Sequence, residues 1–488
     1  MAAKLLMVGF TERYAIFFRA LRLLRRIAIW ASLALLALIL AALAINTFDE
    51  RPSPETLNLL RPPENHYRPD DNLYVSLAGF DAPASQSVIS VGQTRIAHYN
   101  DSVDAMLRNP LLGLETLAGS DPQKLKFEGS IDCCRPREAS FWDSVRANGP
   151  KIEQLIDQNR ELYQRYLALF DLPGYYETAR PSPAAPIYMV PTGVRNVFLA
   201  SVSLRMQSGD ELQIQSALKS LRQDIYLWHR MLIGEGTLIS KMLAVAFLQT
   251  DCLILSDMIA DPRAAIPQNM GEYLPQFDLG DWNIRNAFAA EFRLHTFIYR
   301  QSKAVADNHW EPPDSTGSSA WRMWNRILSP IEGHFFKISA TENLDAKIMS
   351  ELGGFAALAP PTFATDQAQL KKWEQKNADF MSIRTIYNPV GKILVAIAAP
   401  AYENYIVRPY DAAALQRLVR LSFEIRRQRI APSEIAGFMK LHPEWATHPA
   451  DGRSFVWKPT SSEIAIQPVA QQPADRRFSV QIWKGSAG

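Results

Sequence analysis

The sequence predicts a mainly α-helical protein: an N-terminal transmembrane helix, an exported irregular array of helical hairpins and a small β meander at the C-terminus. Three observations predict it. Ile27 to Asn46, IAIWASLALLALILAALAIN, is an uncharged apolar run of the length a helix needs to cross a bilayer core. From Glu138 onward, apolar residues recur mostly at three- and four-residue steps, the period of an amphipathic helix. Near the end the pattern changes, and Phe455–Trp457, Glu463–Val469 and Phe478–Trp483 read as short strands separated by turn residues.

Lys4, Arg13, Arg19, Arg22, Arg25 and Arg26 precede the apolar run, opposed only by Glu12. Basic residues stay on the cytoplasmic side of a membrane helix. Residues 1–26 are therefore expected to be a cytoplasmic basic segment and 27–46 the transmembrane helix, with everything from Thr47 exported. The mixture of Phe17, Phe18, Leu21 and Leu24 with arginines also suits a helix lying on an anionic surface, but a basic flank that sets topology is the simpler reading. Ala42-Leu43-Ala44 matches the A-x-A pattern of a cleavable signal peptide. The apolar run exceeds the usual length of such a peptide and its leader is long, so an uncleaved anchor is expected.

Residues 47–130 open with a polar, Pro-rich stalk. Leu73–Phe80 and Val88–Ala97 follow, whose β-branched residues and glycines predict short strands or extended chain, and the prolines argue against long helices before about Ser102. The helical array is expected over 131–410. Lys151–Phe170 reads as one amphipathic helix ended by Pro173-Gly174. Val194–Gln207, Asp210–Ile233 and Gly236–Ile259 come next, with Asp210 as an N-cap and Gly234 as a stop. Short links between long helices imply antiparallel neighbours. No 34-residue repeat is present, so the array is irregular. Further helices are expected at Asp281–Gln301, in pieces over Trp321–Glu351, from a charged start within Pro360–Lys376, and at Gly391–Pro400, which is too short to span a membrane. Residues 411–488 hold a last helix, Asp411–Arg429, and the three-stranded meander.

The chain has 488 residues and a net charge of +2. Because the leading segment is so basic, the exported remainder has a slight acidic excess, and no basic face for nucleic acid is expected. A hydrophobic content of 47% is ample for a buried core. The richness in Ala, Leu and Arg reads as bacterial, which makes the compartment the periplasm. An oxidising compartment permits a disulfide, and Cys252 with one of the Cys133–Cys134 pair, taken as Cys134–Cys252, is the expected bridge. A vicinal Cys133–Cys134 bridge would be strained, and three free thiols are the remaining alternative.

Candidate chemistry is sparse. Glu291 and His295 are four apart on one predicted helix, so their side chains can meet as a metal pair, an acid–base couple or a purely structural contact, the last being favoured. Ser216-Ala217-Leu218-Lys219 matches S-x-x-K but sits mid-helix without the boxes that accompany it in serine enzymes. No HExxH, nucleophile elbow, Walker loop or dinucleotide fingerprint occurs. Neither a cofactor nor a metal is predicted.

Gly236–Met242 (GTLISKM), Ala340–Leu344 (ATENL) and Asn388–Lys392 (NPVGK) resemble stretches of an uncharacterised group of single-pass bacterial inner-membrane proteins with a large periplasmic helical region. That resemblance implies no activity. The tail is separately similar to the globular end of type II secretion pseudopilins, with Asp411–Arg429 as the helix and Pro449–Phe455 as the turn before the meander. The turn departs from the pseudopilin pattern and no pilin leader is seen, so pilus assembly is not implied. The functional expectation is a non-enzymatic, membrane-anchored periplasmic interaction or scaffold protein with a protein partner in the envelope. The alternatives are a hydrolase-like envelope enzyme using Glu291 and His295, or a carrier of an apolar ligand, which needs a large cavity between helices.

Overall fold

A computed structural model describes residues 2–109, 123–183 apart from 133, 137 and 139, 191–307, 333–357, 386–398, 402–470 and 478–483. Helix α1, Ala2–Ile45, carries the apolar run in its C-terminal half. The Leu23–Ile45 stretch is long and apolar enough to cross a membrane and is not buried by the rest of the protein. Leu238–Ala260 passes the same test of length and hydropathy, yet 83% of its most apolar window is buried, which makes it the core helix of the body.

The segment read as extended is helical instead: α2 (Pro54–Leu60), α3 (Leu73–Ala78) and α4 (Val88–Arg108). This corrects the extended assignment within 47–130. Ser87 caps α4, its Oγ accepting the Ser90 N–H at 3.3 Å, and Gly92, Ile96, Tyr99 and Val103 form a buried face at helical spacing. The two glycines that looked like strand punctuation mark a close approach between backbones. A Cβ on Gly79 would lie 1.9 Å from the Val88 carbonyl oxygen, and one on Gly92 would lie 2.1 Å from that of Val75.

Lys151–Phe170 is likewise not a single helix. After α5 (Phe141–Ala147), it divides into α6 (Gly149–Gln158) and α7 (Arg160–Ala168) around Asn159. The Asn159 amide accepts from the Glu128 N–H at 2.8 Å and donates to the carbonyls of Glu128 and Leu155, each at 2.9 Å. A side chain that bonds main chain in this way competes with the helical ladder.

The next three helices, α8 (Thr192–Met206), α9 (Glu211–Ile233) and α10 (Leu238–Ala260), follow the predicted pattern closely. Asp210 caps α9 by accepting from Leu212 N at 2.9 Å. Consecutive helices of the set pack on one another, as short links require. At their centre lies a charged cluster that the apolar pattern does not reveal. Arg195 of α8 donates to Asp224 of α9 at 2.8 Å and to Asp251 of α10, and all three are buried. Trp228 Nε1 donates to Asp224 at 3.2 Å and Tyr166 hydroxyl donates to the same carboxylate. The guanidinium also lies over Phe247, 4.3 Å from the ring centre.

Helices α11 (Arg285–Asp307) and α12 (Ile338–Ala356) pack together, and α13 (Pro389–Ala398) packs on α12. Helix α14 (Tyr402–Arg427) lies along α10, begins earlier than expected and continues through Pro409. Burial of Ile406, Val407, Tyr410 and Ala412 around that proline offsets the lost helical bond. The first part of the Trp321–Glu351 expectation and all of Pro360–Lys376 lie outside the described residues. After α15 (Ile435–Leu441) and α16 (Pro443–Ala446), the strands β1 (Val456–Lys458), β2 (Glu463–Ala465) and β3 (Ser479–Gln481) form the predicted antiparallel meander in the order β1-β2-β3. Trp457 pairs with Ile464, and Ile464 with Val480.

The expected Cys134–Cys252 bridge is not formed. Cys252 is a free thiol within α10, and burial raises it well above the ordinary thiol range. Cys134 is buried beside the Ser144 carbonyl, its Sγ 3.8 Å from that oxygen.

The end of α1 is built into the body. Nε2 of His334 donates to the Leu43 carbonyl at 2.9 Å. Asn46 donates to the Ile386 carbonyl at 2.7 Å and accepts from the Asn388 N–H at 2.8 Å. Three residues later Asp49 caps α12, accepting from Ser339 N at 2.9 Å and Ala340 N at 3.0 Å. Asn388 has a positive φ of 52°, and its side chain accepts from Lys337 N at 2.9 Å and donates to Thr341 Oγ1 at 2.9 Å. Asn343 accepts from Ser53 N and Thr56 Oγ1 at 2.7 and 2.8 Å. The stretches ATENL and NPVGK thus meet at the foot of the apolar helix.

Candidate functional site

The N-terminus of α10 has two carboxylates against it. A short bridge between Tyr176 and Glu235 brings Glu177 alongside the turn that starts α10. The turn needs glycine at 234, where a Cβ would lie 2.3 Å from the Tyr175 carbonyl oxygen. Glu177 accepts from Thr237 N at 2.6 Å, from Tyr175 hydroxyl at 2.9 Å, from Thr237 Oγ1 at 3.2 Å and from Ser240 Oγ. Glu291, from α11, accepts from Leu238 N at 2.9 Å through one oxygen. Exposed N–H groups and the positive end of the helix dipole favour negative charge at this place.

Among the described residues the second oxygen of Glu291 has no hydrogen-bond partner. Glu291 lines a cavity of about 160 Å³ whose other lining includes Tyr74, Glu177, Ser240, Leu243 and Leu294. Burial raises the Glu291 carboxyl above its ordinary range, against the Leu238 hydrogen bond that lowers it. In the first turn of α10 Lys241 is fully buried, its Nζ donating to the main-chain carbonyls of Met231, at 3.2 Å, and Gly234. Burial brings this ammonium down to about 8, against the pull of Glu177 and Glu235.

The four-residue spacing of Glu291 and His295 places them near one another on α11, but they do not hydrogen-bond. His295 turns into the core. Its Nδ1 lies 3.1 Å from Asp345 of α12 and its Nε2 lies 3.1 Å from the hydroxyl of Tyr402 of α14. Burial alone would lower His295, but the hydrogen bond and charge of Asp345, with Glu291, outweigh it and the imidazole is raised. Asp345 is itself raised by burial. Glu291 therefore lines a cavity while His295 ties three helices together.

Sequence reasoning missed Glu177, Thr237, Ser240, Asp345 and Tyr402. Thr237 and Ser240 fall in GTLISKM and Asp345 directly follows ATENL, so the stretches behind the resemblance frame this site. Glu177 had no local signal. A wider and more open cleft of about 510 Å³ lies between α11 and α12, lined by Asn58, Arg285, Asn286 and Met349 among others. Among the described residues no group of three His, Cys, Asp or Glu side chains is placed to hold a metal ion. No protein-family model, curated protein or solved structure matches the chain.

Proposed function

We propose that the chain is a membrane-anchored interaction protein of a bacterial inner membrane, with the N-terminus cytoplasmic, the bulk periplasmic and a protein partner in the envelope. The observation that carries this reading is the union of α1 with the body. An anchor joined by a flexible stalk holds a domain near a membrane, whereas Asn46, Asp49 and Asn343 join this one by direct hydrogen bonds into α12 and the loop before α13. Such a body is presented to a partner at one height and in one orientation. The basic residues before the span support the orientation. Crosslinking the full-length protein in intact cells, followed by purification from membranes, should recover a discrete envelope partner. Recovery of nothing above an unrelated single-pass control would refute the reading.

A second reading, a hydrolase-like envelope enzyme, is favoured by one observation: Glu291, with one oxygen bonded to Leu238 N, lines a cavity shared with Glu177. Burial raises the Glu291 carboxyl, the direction that suits a general acid. Turnover of glycoside or ester probes by the full-length protein, lost in Glu291→Gln, would replace the first reading with this one.

A further inference from the structure

We propose that the outward face of α13 rests on the lipid surface beside the anchor, giving the body a second, peripheral hold on the membrane. The inference rests on the anchor reading above. Helix α13 reads PVGKILVAIA and carries one charge, Lys392. Its inner side is packed through Gly391 and Val395. Its outer side presents Ile393 and Ile397, one turn apart and 52% and 69% exposed. A helix face turned to water is ordinarily polar, so this one is inverted. Phe48, just past the foot of α1, is also exposed, at 77%.

Depth identifies the occupant. At 1.5 Å per residue, the run from Ile27 to Asn46 covers about 30 Å, the thickness of a hydrocarbon core. With Arg25 and Arg26 at one headgroup layer, Asn46 lies at the other. Asn388 is hydrogen-bonded to Asn46, and α13 begins at the next residue. The body also reaches up to the Leu43 carbonyl through His334, so its surface there is level with the last turn of the span. An apolar face whose helix starts at headgroup depth meets acyl chains before it meets anything else. The helix is too short to span, and interfacial helices sink only about 5–10 Å.

The test uses the full-length chain in nanodiscs of phosphatidylethanolamine and phosphatidylglycerol, with native cysteines replaced by alanine. A nitroxide is placed at Ile397→Cys, at Ile393→Cys as a second site, and at Leu212→Cys on α9, which is 78% exposed and serves as the water reference. Collision with a water-soluble nickel chelate should be roughly fivefold lower at 393 and 397 than at 212. Equal collision at all three sites, with the chain still resisting alkaline carbonate extraction, overturns the lipid contact and leaves the anchor reading standing. Protection in native membranes but not in nanodiscs assigns the face to a protein partner and also overturns the proposal. Release of the intact chain by carbonate removes the anchor reading and this inference together.

Discussion

Asp411 of α14 receives the Nε2–H of His448 at 3.0 Å, while Nδ1 of the same ring accepts the Ala450 N–H at 3.1 Å. The second bond determines the tautomer: the lone pair on Nδ1 is engaged, so the ring proton sits on Nε2 and points at the carboxylate. Asp411 also accepts from Val469 N at 2.8 Å and Ala470 N at 3.2 Å. One buried carboxylate therefore ties the turn after α16 and the chain that follows β2 to the long helix.

Asp411→Asn removes the charge and replaces one acceptor oxygen by a donor, which would face either the Ala470 N–H at Oδ2 or the Val469 N–H and His448 Nε2–H at Oδ1. The variant should lose about 2–4 kcal/mol of stability. Trp457 and Trp483, 6.4 Å apart in the meander, make tryptophan emission a reporter during urea titration. A midpoint equal to that of the parent would show that Asp411 does not hold the tail.

The Arg195 cluster is a buried ion pair with a second carboxylate added. Arg195→Met should cost about 3–5 kcal/mol, because Asp224 and Asp251 are left facing each other without a counter-charge. Replacing all three together with apolar residues of similar volume should recover most of that loss, since no charge then remains to be desolvated. If the triple variant is no more stable than Arg195→Met in denaturant melts, the cluster's cost lies in packing and not in charge.

The His295–Asp345 pair makes stability depend on pH. Both groups are raised in the folded protein, as is neighbouring Glu291 through burial, so the native state holds protons that the unfolded chain releases. Where the native state binds more protons, unfolding free energy falls as pH rises. The His295 share is fully present below its ordinary 6.5 and is lost as pH climbs through the raised value. The carboxyl shares are present below the ordinary 3.8 and 4.5 and are lost similarly as pH climbs. Urea midpoints measured from acid to neutral pH should therefore slope downward from this cluster, and His295→Gln with Asp345→Asn should flatten the slope. Parallel curves for parent and variant would be the contrary result.

At the foot of α1, Asp49→Ala removes the two hydrogen bonds that the carboxylate accepts from the first turn of α12. Loss of capping bonds of this kind costs about 1 kcal/mol. Its larger effect should be mechanical: the distance distribution between spin labels on α1 and α12 should broaden in the variant. An unchanged width would mean that the Asn46 and Asn343 bonds suffice to hold the body in place.

The elements were legible where their causes are local. Asp210, Gly234 and the three- and four-residue spacing locate α9, and turn residues locate the meander. Legibility failed where tertiary contacts reassign a local signal. Gly79 and Gly92 look like punctuation until two backbones are seen to cross on them, and Asn159 looks like one more polar helix residue until it binds Glu128. Glu291 was visible by its spacing from His295, but their separate partners, Leu238 and Asp345, come from other helices.

By itself the sequence determined that this chain carries an apolar, membrane-length helix behind a basic flank, a helical body and a terminal meander. Those features depend on hydrophobic period, capping and turn chemistry within a few residues. Only the tertiary structure decided that Asn46 would bond Asn388, 342 positions away, that Glu177 and Glu291 would share one helix end, and that Arg195 would be enclosed by two aspartates. The path of the chain brings those groups together, and no local pattern records the meeting of residues so far apart.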